Sequence, residues 1–425
     1  MTDLAGRRGP DRPGRYRDAL RNPEFRGLAV AKATSDWGDQ IARVALAALV
    51  LVRTDSALLS VLAFVVSFLP AVFGSALLGG LADRLPRKVI LLGCDLARLV
   101  IVSLLALLAV PSTSIWVLLF LLLLTESFLA PFEAARASIL PDILTEPREY
   151  LAGANLMRML FQVDQFIALM LGAAIIYAVG ERGALFLDAV TYGISFVIVA
   201  MTLRWRPAPR SPSAPATTLW ADFRAGWRVV ADDPALRAMI GLGCGAAILL
   251  TSPEAVALAY AKADGAGPAI GAALMASLPA GATVGALLVA RLTPMQQVNA
   301  IVPLAVATCV PLLLTCVAPP WPVAMALWFV SGLAQGFMIP LMATVQLVTP
   351  MEFRGRVSGL AAAGFSVSTA ATYLLVGVVA DATTPAFSLT AAAALGMAVI
   401  GLVYRSWPHG AIRRSATRVY AASQP

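Results

Sequence analysis

Gly79-Gly80-Leu81-Ala82-Asp83-Arg84-Leu85-Pro86-Arg87-Lys88 parts two apolar runs, Ala57 to Leu78 and Val89 to Val110. Each run is long enough to cross a bilayer as a helix, which takes roughly 20 residues. Between them, Asp83, Arg84, Arg87 and Lys88 crowd together, and three of these charges are positive. Positive residues in a tight turn between spans stay on the cytoplasmic side. This turn therefore orients the whole chain.

The composition agrees. Of 425 residues, 59% are hydrophobic and only 13% charged, where a soluble domain carries about 25% charge. Cys94, Cys244, Cys309 and Cys316 all lie in apolar runs, so neither a disulfide framework nor a zinc site is expected. His409 is the one histidine, which removes most histidine-based metal and acid–base chemistry. No phosphate-binding loop, metalloprotease motif or nucleophile elbow occurs, so no enzyme, metal or cofactor is expected. The net charge of +8 is mostly loop charge and does not call for nucleic acid. No short apolar segment with a cleavage site precedes the first span, so no signal peptide is expected.

The expected fold is all-α, with twelve transmembrane helices in two six-helix, pseudo-symmetric halves. The spans are placed at about 27–52, 57–83, 88–110, 113–140, 150–179, 183–203, 236–260, 267–291, 298–318, 321–349, 355–380 and 386–404. Residues 1–26 form an Arg-rich cytoplasmic tail, 27–203 the first half, 204–235 a cytoplasmic linker, 236–404 the second half, and 405–425 a cytoplasmic tail. With both termini inside, only Arg53, Arg182 and Lys262 among the lysines and arginines outside the spans fall on the far side. That asymmetry sets the orientation.

Within the linker, Leu219, Trp220, Phe223, Trp227 and Val230 recur at helical spacing, with Arg224 and Arg228 opposite. An amphipathic helix over 217–233, lying on anionic lipid, is expected. The halves also repeat. Pro131 and Pro141 correspond to Pro340 and Pro350 at one common offset, and each second proline precedes a charged loop. Two parallel repeats place a substrate site at their interface near the bilayer midplane.

The opening stretch resembles the signature loop of the major facilitator superfamily, Gly-x-x-x-Asp-basic-x-Gly-basic-basic. Gly79, Asp83, Arg84, Arg87 and Lys88 match, and Pro86 stands where the family usually has Gly. The resemblance covers about residues 25 to 405. Pro131 to Pro141, Leu185 to Ala189 and Asp233 to Arg237 look like the branch containing bacterial enterobactin and macrolide exporters. It implies a gate in which Asp83 meets the start of helix 11 near Arg354 and Arg356, with Arg136 on the same side. One departure is helix 5, where exporters often carry a Gly-Pro pair and this chain reads Gly172-Ala173-Ala174.

Charges inside spans mark pathways. In helix 1, Lys32, Asp36, Asp39 and Arg43 share one stripe, and the i, i+4 spacing pairs Lys32 with Asp36 and Asp39 with Arg43. In helix 4, Glu126 lies near mid-membrane, with Glu133 two turns nearer the cytoplasm. Glu133 is expected to meet Lys32 or Arg158. Glu126 has no cation on its own helix and is the first choice as proton carrier, with Asp36 and Asp39 next. Gln162 and Gln165 of helix 5, Gln335, Met338, Met342 and Gln346 of helix 10, and Tyr373 of helix 11 are expected to line the substrate cavity. Met suits bulky apolar ligands.

These residues point to a secondary transporter in a bacterial inner membrane, a monomer that exchanges protons for a drug-like or siderophore-like molecule by alternating access. A proton-coupled nutrient importer of the same fold is the alternative within the class. A non-transporting sensor is the alternative outside it, and no soluble effector domain is present to favour it.

Overall fold

The computed structural model describes residues 16–67, 85–207, 219–349, 353–405 and 407. Among them every regular element is helical. The first group comprises α1 (Tyr16–Arg21), α2 (Pro23–Thr54), α3 (Ala57–Ser67), α4 (Arg87–Leu108), α5 (Ile115–Ser127), α6 (Leu129–Ile143) and α7 (Pro147–Thr202). A surface helix, α8 (Leu219–Asp232), follows. The second group comprises α9 (Pro234–Ala263), α10 (Pro268–Val289), α11 (Pro294–Leu313), α12 (Trp321–Ala334), α13 (Met338–Val348), α14 (Arg354–Ala382) and α15 (Pro385–Arg405). Nine segments of the described residues are long and apolar enough to cross a membrane. Gly79, Asp83 and Arg84 of the signature stretch lie outside the described residues, so the expected Asp83 gate does too.

Prolines decide where the helices break. The expected span 113–140 is two helices, α5 and α6, which meet at Phe128. Pro131 cannot donate to the Ser127 carbonyl, so the ladder loosens one turn upstream of the ring. The same break recurs at residues 335–337, a short 3₁₀ turn one turn ahead of Pro340. Helices 5 and 6 are two helices, as expected, running together through the α7 range and parted at Gly180, whose φ +72° and ψ 176° are not helical. A side chain there would be strained, and glycine supplies the turn without a loop.

Small residues set the closest helix contacts. A Cβ on Gly281 or Gly285 of α10 would meet the carbonyl oxygens of Phe329 or Leu333 of α12 at 2.0 Å. A Cβ on Gly332 would meet the Leu278 carbonyl oxygen at 2.1 Å. The GxxxG pairs thus let two backbones touch, as their spacing implies.

The corner of the first group where α2 begins is pinned by polar contacts. Asn22 caps α2 by accepting from Glu24 N–H, and its Nδ2 donates to the Ile143 carbonyl at 2.9 Å. Glu24 accepts from Arg206 Nη1 at 2.7 Å and from the Arg204 amide at 3.1 Å. Lys88 donates to the carbonyls of Ala200 and Leu203 at the end of α7, and Arg87 pairs with Asp142. Arg87 and Lys88 of the signature stretch thus tie α4 to α6 and α7. Beyond this corner, Asp233 caps α9, and Val230 of α8 is buried while Arg224, Trp227 and Arg228 are exposed. The side chains of Trp220 and Phe223 lie outside the described set.

Two outcomes follow for stability. Gly332→Val drives a side chain into the α10 backbone and lowers the melting temperature in detergent, at a cost of about 1–3 kcal/mol or more. At the corner, burial pushes the Glu24 carboxyl up, but the Arg206 bond, the Arg204 amide and both guanidinium charges outweigh it and hold the group below its ordinary value. A depressed carboxylate stabilises above its unfolded value and loses that contribution as pH falls through the folded one. Glu24→Gln therefore costs about 1–2 kcal/mol at neutral pH. The gap between the two melting curves narrows on acidification. A gap that stays constant with pH would show that the carboxylate charge is not what holds this corner.

Candidate functional site

Ionisable groups inside the helices gather at two levels along α2. At the lower level Lys32 lies 2.8 Å from Asp36 and 3.0 Å from Glu133 of α6. Arg136 closes on the other Glu133 oxygen, with Nε at 3.1 Å. Lys32 is buried, whereas Asp36 and Glu133 are half-buried and reach open space. Of the two expected partners, Lys32 meets Glu133. The Arg158, Gln162 and Gln165 side chains lie outside the described set. Asp164, on the same helix, accepts from Trp37 Nε1 of α2 at 3.0 Å.

At the upper level the structure corrects the expected pairing. Arg43 does not meet the Asp39 carboxylate. Its Nε donates to the Asp39 backbone carbonyl at 3.2 Å and lies 3.9 Å from Glu126 Oε1. The Asp39 carboxylate instead accepts from the Tyr192 hydroxyl of α7 and lies 3.9 Å from Arg98 Nη1 of α4. The reason is geometric. Asp39 and Arg43 are neighbours along one helix, but each finds a partner at its own depth on another helix. Glu126 is buried, accepts from Ser67 and has Arg43 as its nearest cation.

Arg98 holds this level together. It is 1% exposed, with its guanidinium 5.2 Å from the Tyr192 ring centre and 5.8 Å from that of Phe132. Its Nε and Nη2 have no hydrogen-bond partner among the described residues. Cation–π contact offsets part of that loss. Asp95, three residues earlier on α4, is fully buried and accepts from Ser195 at 2.7 Å. Asp188 is also buried, bonded to Thr191. Asp39, Glu126, Asp188 and Tyr192 line a cavity about the size of one water molecule.

The second group contributes Glu254 of α9, half-buried, bonded to Tyr373 of α14 and to Gln40 of α2. Its carboxyl is attracted by the Arg43 guanidinium, which also faces Glu126. Pro253, directly before Glu254, lies inside the continuous α9 and withholds one backbone donor at this level. Tyr373 is buried and stacked on Phe64 of α3 at 5.3 Å.

The other expected cavity residues divide. Gln335 is buried and Met338 packs against the main apolar core. Met342 is partly exposed, and Gln346 is exposed with its Nε2 bonded to Ser358 at 2.5 Å. The structure does not bring these four together with the carboxylates. The Arg354 and Arg356 side chains lie outside the described set. Asp95, Arg98, Asp188, Tyr192 and Glu254 are not among the sequence-predicted site residues. The signal for four of them is plain, since each is a charge inside a long apolar helix.

A family model described as transmembrane secretion effector matches residues 18–414. An uncharacterized MFS-type transporter of Bacillus subtilis, YkuC, is 30% identical over 186 residues, which is 43% of this chain and 42% of that protein. The match thus spans less than half the length of this curated relative. Among solved structures, the nucleoside transporter NupG superposes with a TM-score of 0.68 at 13% identity, covering 90% of this chain and 99% of that one. A bacterial homolog of the human lysosomal transporter Spinster gives 0.62 at 16% identity, covering 95% and 98%.

Asp39→Asn strands the buried Arg98 guanidinium, and breaking such a pair costs about 3–5 kcal/mol. The variant is expected to melt early in detergent, and adding Arg98→Met is expected to recover most of the loss. A double variant no more stable than the single one would remove Arg98 as the partner of Asp39.

Proposed function

The chain belongs to the transmembrane secretion effector family of major facilitator transporters, a multi-pass membrane protein of all-helical fold, and we propose that it exports a drug-like or siderophore-like small molecule in exchange for protons. Twelve spans in two six-helix halves fit the helices best: the nine apolar segments, together with α2, α3 and the part of α7 ahead of Gly180. The helix breaks at Phe128 and at 335–337, each one turn before Pro131 or Pro340, support the internal repeat. The excess of Lys and Arg near one end puts both termini in the cytoplasm.

One observation carries the proton coupling. Among the described side chains of the upper level, two guanidinium groups, Arg43 and Arg98, serve Asp39, Asp95, Glu126, Asp188 and Glu254. Two cations cannot compensate five carboxylates where each uncompensated charge costs several kcal/mol. The cluster therefore carries protons, and it can exchange them when a substrate or a conformational change alters its balance. Glu126 is the first choice as exchanger. It has no cation on its own helix, and its cation on α2, 3.9 Å away, also attracts Glu254. The family description favours export over import.

The reading is tested with a panel of substrates in inverted membrane vesicles, with and without a protonophore. Wild-type protein concentrates substrate inside the vesicles and the protonophore abolishes this. Glu126→Gln is expected to lose proton-driven transport by at least tenfold and to bind substrate about as well as wild type. Substrate-induced proton release from purified Glu126→Gln equal to that of wild type would move the exchange to Asp36 or Asp39.

A further inference from the structure

A row of contacts joins the two groups of helices at the end opposite the corner where α2 begins. Asp381, in the last turn of α14, accepts from the Ser56 hydroxyl at 2.5 Å, the Ala57 amide at 2.5 Å and the Leu58 amide at 3.3 Å. Ala57 and Leu58 are the first residues of α3, and their amides have no acceptor within their own helix. Ser56 caps α3 locally by accepting from the Leu59 amide at 3.1 Å. The first turn of α3 is thus completed only by a carboxylate supplied from the other group of helices. A carboxylate at that position is also favoured by the helix dipole.

The contact continues down one face of α14. Gly377 and Tyr373 precede Asp381 by one and two turns, so all three share that face. A Cβ on Gly377 would lie 2.9 Å from Leu58 Cα and 2.8 Å from Val61 Cγ2, so the two backbones touch. One turn further, Tyr373 stacks on Phe64 at 5.3 Å. Beside this seam, Lys262 of α9 pairs with Asp55 at 2.6 Å. Both of those side chains are largely exposed, and such a pair contributes little. The hold on the seam lies in Asp381 and in the glycine contact.

We propose that the Tyr373–Gly377–Asp381 face of α14, closed on the first turns of α3, is the latch that shuts the outer mouth of this transporter, with Asp381 as its releasable cap. Opening the mouth must separate these helices. It then exposes two helix amides to water, which can hydrate them, and strips the Asp381 carboxylate of its three donors. The cost is that of losing a helix N-cap, small enough to be reversed in each cycle. The latch rests on the transporter reading for its meaning but not for its test, which uses no substrate.

The test measures the distance between spin labels at Ser112 and Val317, exposed residues at this end of the first and second groups. It uses full-length protein in lipid nanodiscs, with the four native cysteines replaced by serine. The starting protein is expected to show one dominant short distance. Asp381→Ala is expected to raise the long-distance fraction by roughly fivefold, the equivalent of a lost cap. Gly377→Leu forces the backbones apart without touching a charge and is expected to do the same. Asp264→Asn is the control. Asp264 also caps a helix at this end, accepting from the Trp321 amide at 2.8 Å, but within the second group, and its loss is expected to leave the distribution unchanged. If Asp381→Ala and Gly377→Leu both keep the starting distribution, the seam is not a latch. If all three substitutions shift it alike, the effect is general loosening and the proposal also falls. Transport that fails in vesicles while the two seam variants open the mouth would overturn the exporter reading and leave the latch standing.

Discussion

A guanidinium that is 1% exposed in the interior of a membrane protein is the constraint around which the first group of helices is arranged. Arg98 cannot lose its proton at any physiological pH. Its charge must be met where it stands, because leaving it unpaired costs about 3–5 kcal/mol, a large share of the net stability of an ordinary domain. Asp39 from α2, Tyr192 from α7 and the Phe132 ring from α6 converge on it. Four helices are thereby fixed in rotation about their own axes. Apolar packing in lipid is a weak orienting force, because lipid tails are as apolar as leucine. The polar cluster supplies the orientation that hydrophobic burial cannot.

The same cluster explains why neighbouring charges on α2 do not simply pair with each other. Spacing alone puts Asp39 and Arg43 together, as it does Lys32 and Asp36. The second pair forms, at 2.8 Å, and the first does not. At the lower level Lys32 can reach both Asp36 and Glu133 on the open side, so the pair within α2 costs nothing. At the upper level a self-paired Asp39 would leave Arg98 without a close anion, and a self-paired Arg43 would leave Glu126 without a cation. Exchanging partners serves both.

Much of the fold was legible because its determinants are local. Apolar run length gives spans, proline position gives breaks, and small residues four apart give close contacts, all readable without knowing which helix neighbours which. The parting of helices 5 and 6 was legible as two spans, but not that Gly180 alone, at φ +72°, makes the turn between them. The site was legible in its parts on α2 and α6, where several charges fall on one face. At Asp95, Asp188 and Glu254 the charge was legible but its setting was not, because each meets a group on another helix, Ser195, Arg98 or Tyr373, roughly a hundred positions away. Helix 10 misled for the opposite reason. Its Met and Gln stripe has the right period, yet Gln335 and Met338 turn into packing, and period cannot distinguish a cavity face from a core face.

Glu254 joins the charge cluster to the outer seam. Tyr373 donates to it from the same face of α14 that carries Gly377 and Asp381. The Arg43 guanidinium attracts both it and Glu126. A cation shared by two carboxyls cannot draw closer to one without weakening its hold on the other. Tyr373 likewise cannot follow a separating α14 and keep both its stack on Phe64 and its bond to Glu254. Contacts therefore run from Glu254 through Tyr373 and Gly377 to the cap on α3, and Arg43 adds a longer electrostatic link to Glu126. Contiguity alone does not establish coupling; that takes an element with two discrete arrangements which both ends bias. The seam has the makings of one. Its glycine contact and its three-donor cap both depend on close approach of α3 and α14, so partial separation forfeits the contacts without yet hydrating the freed amides. Intermediate openings are for that reason the unfavourable ones.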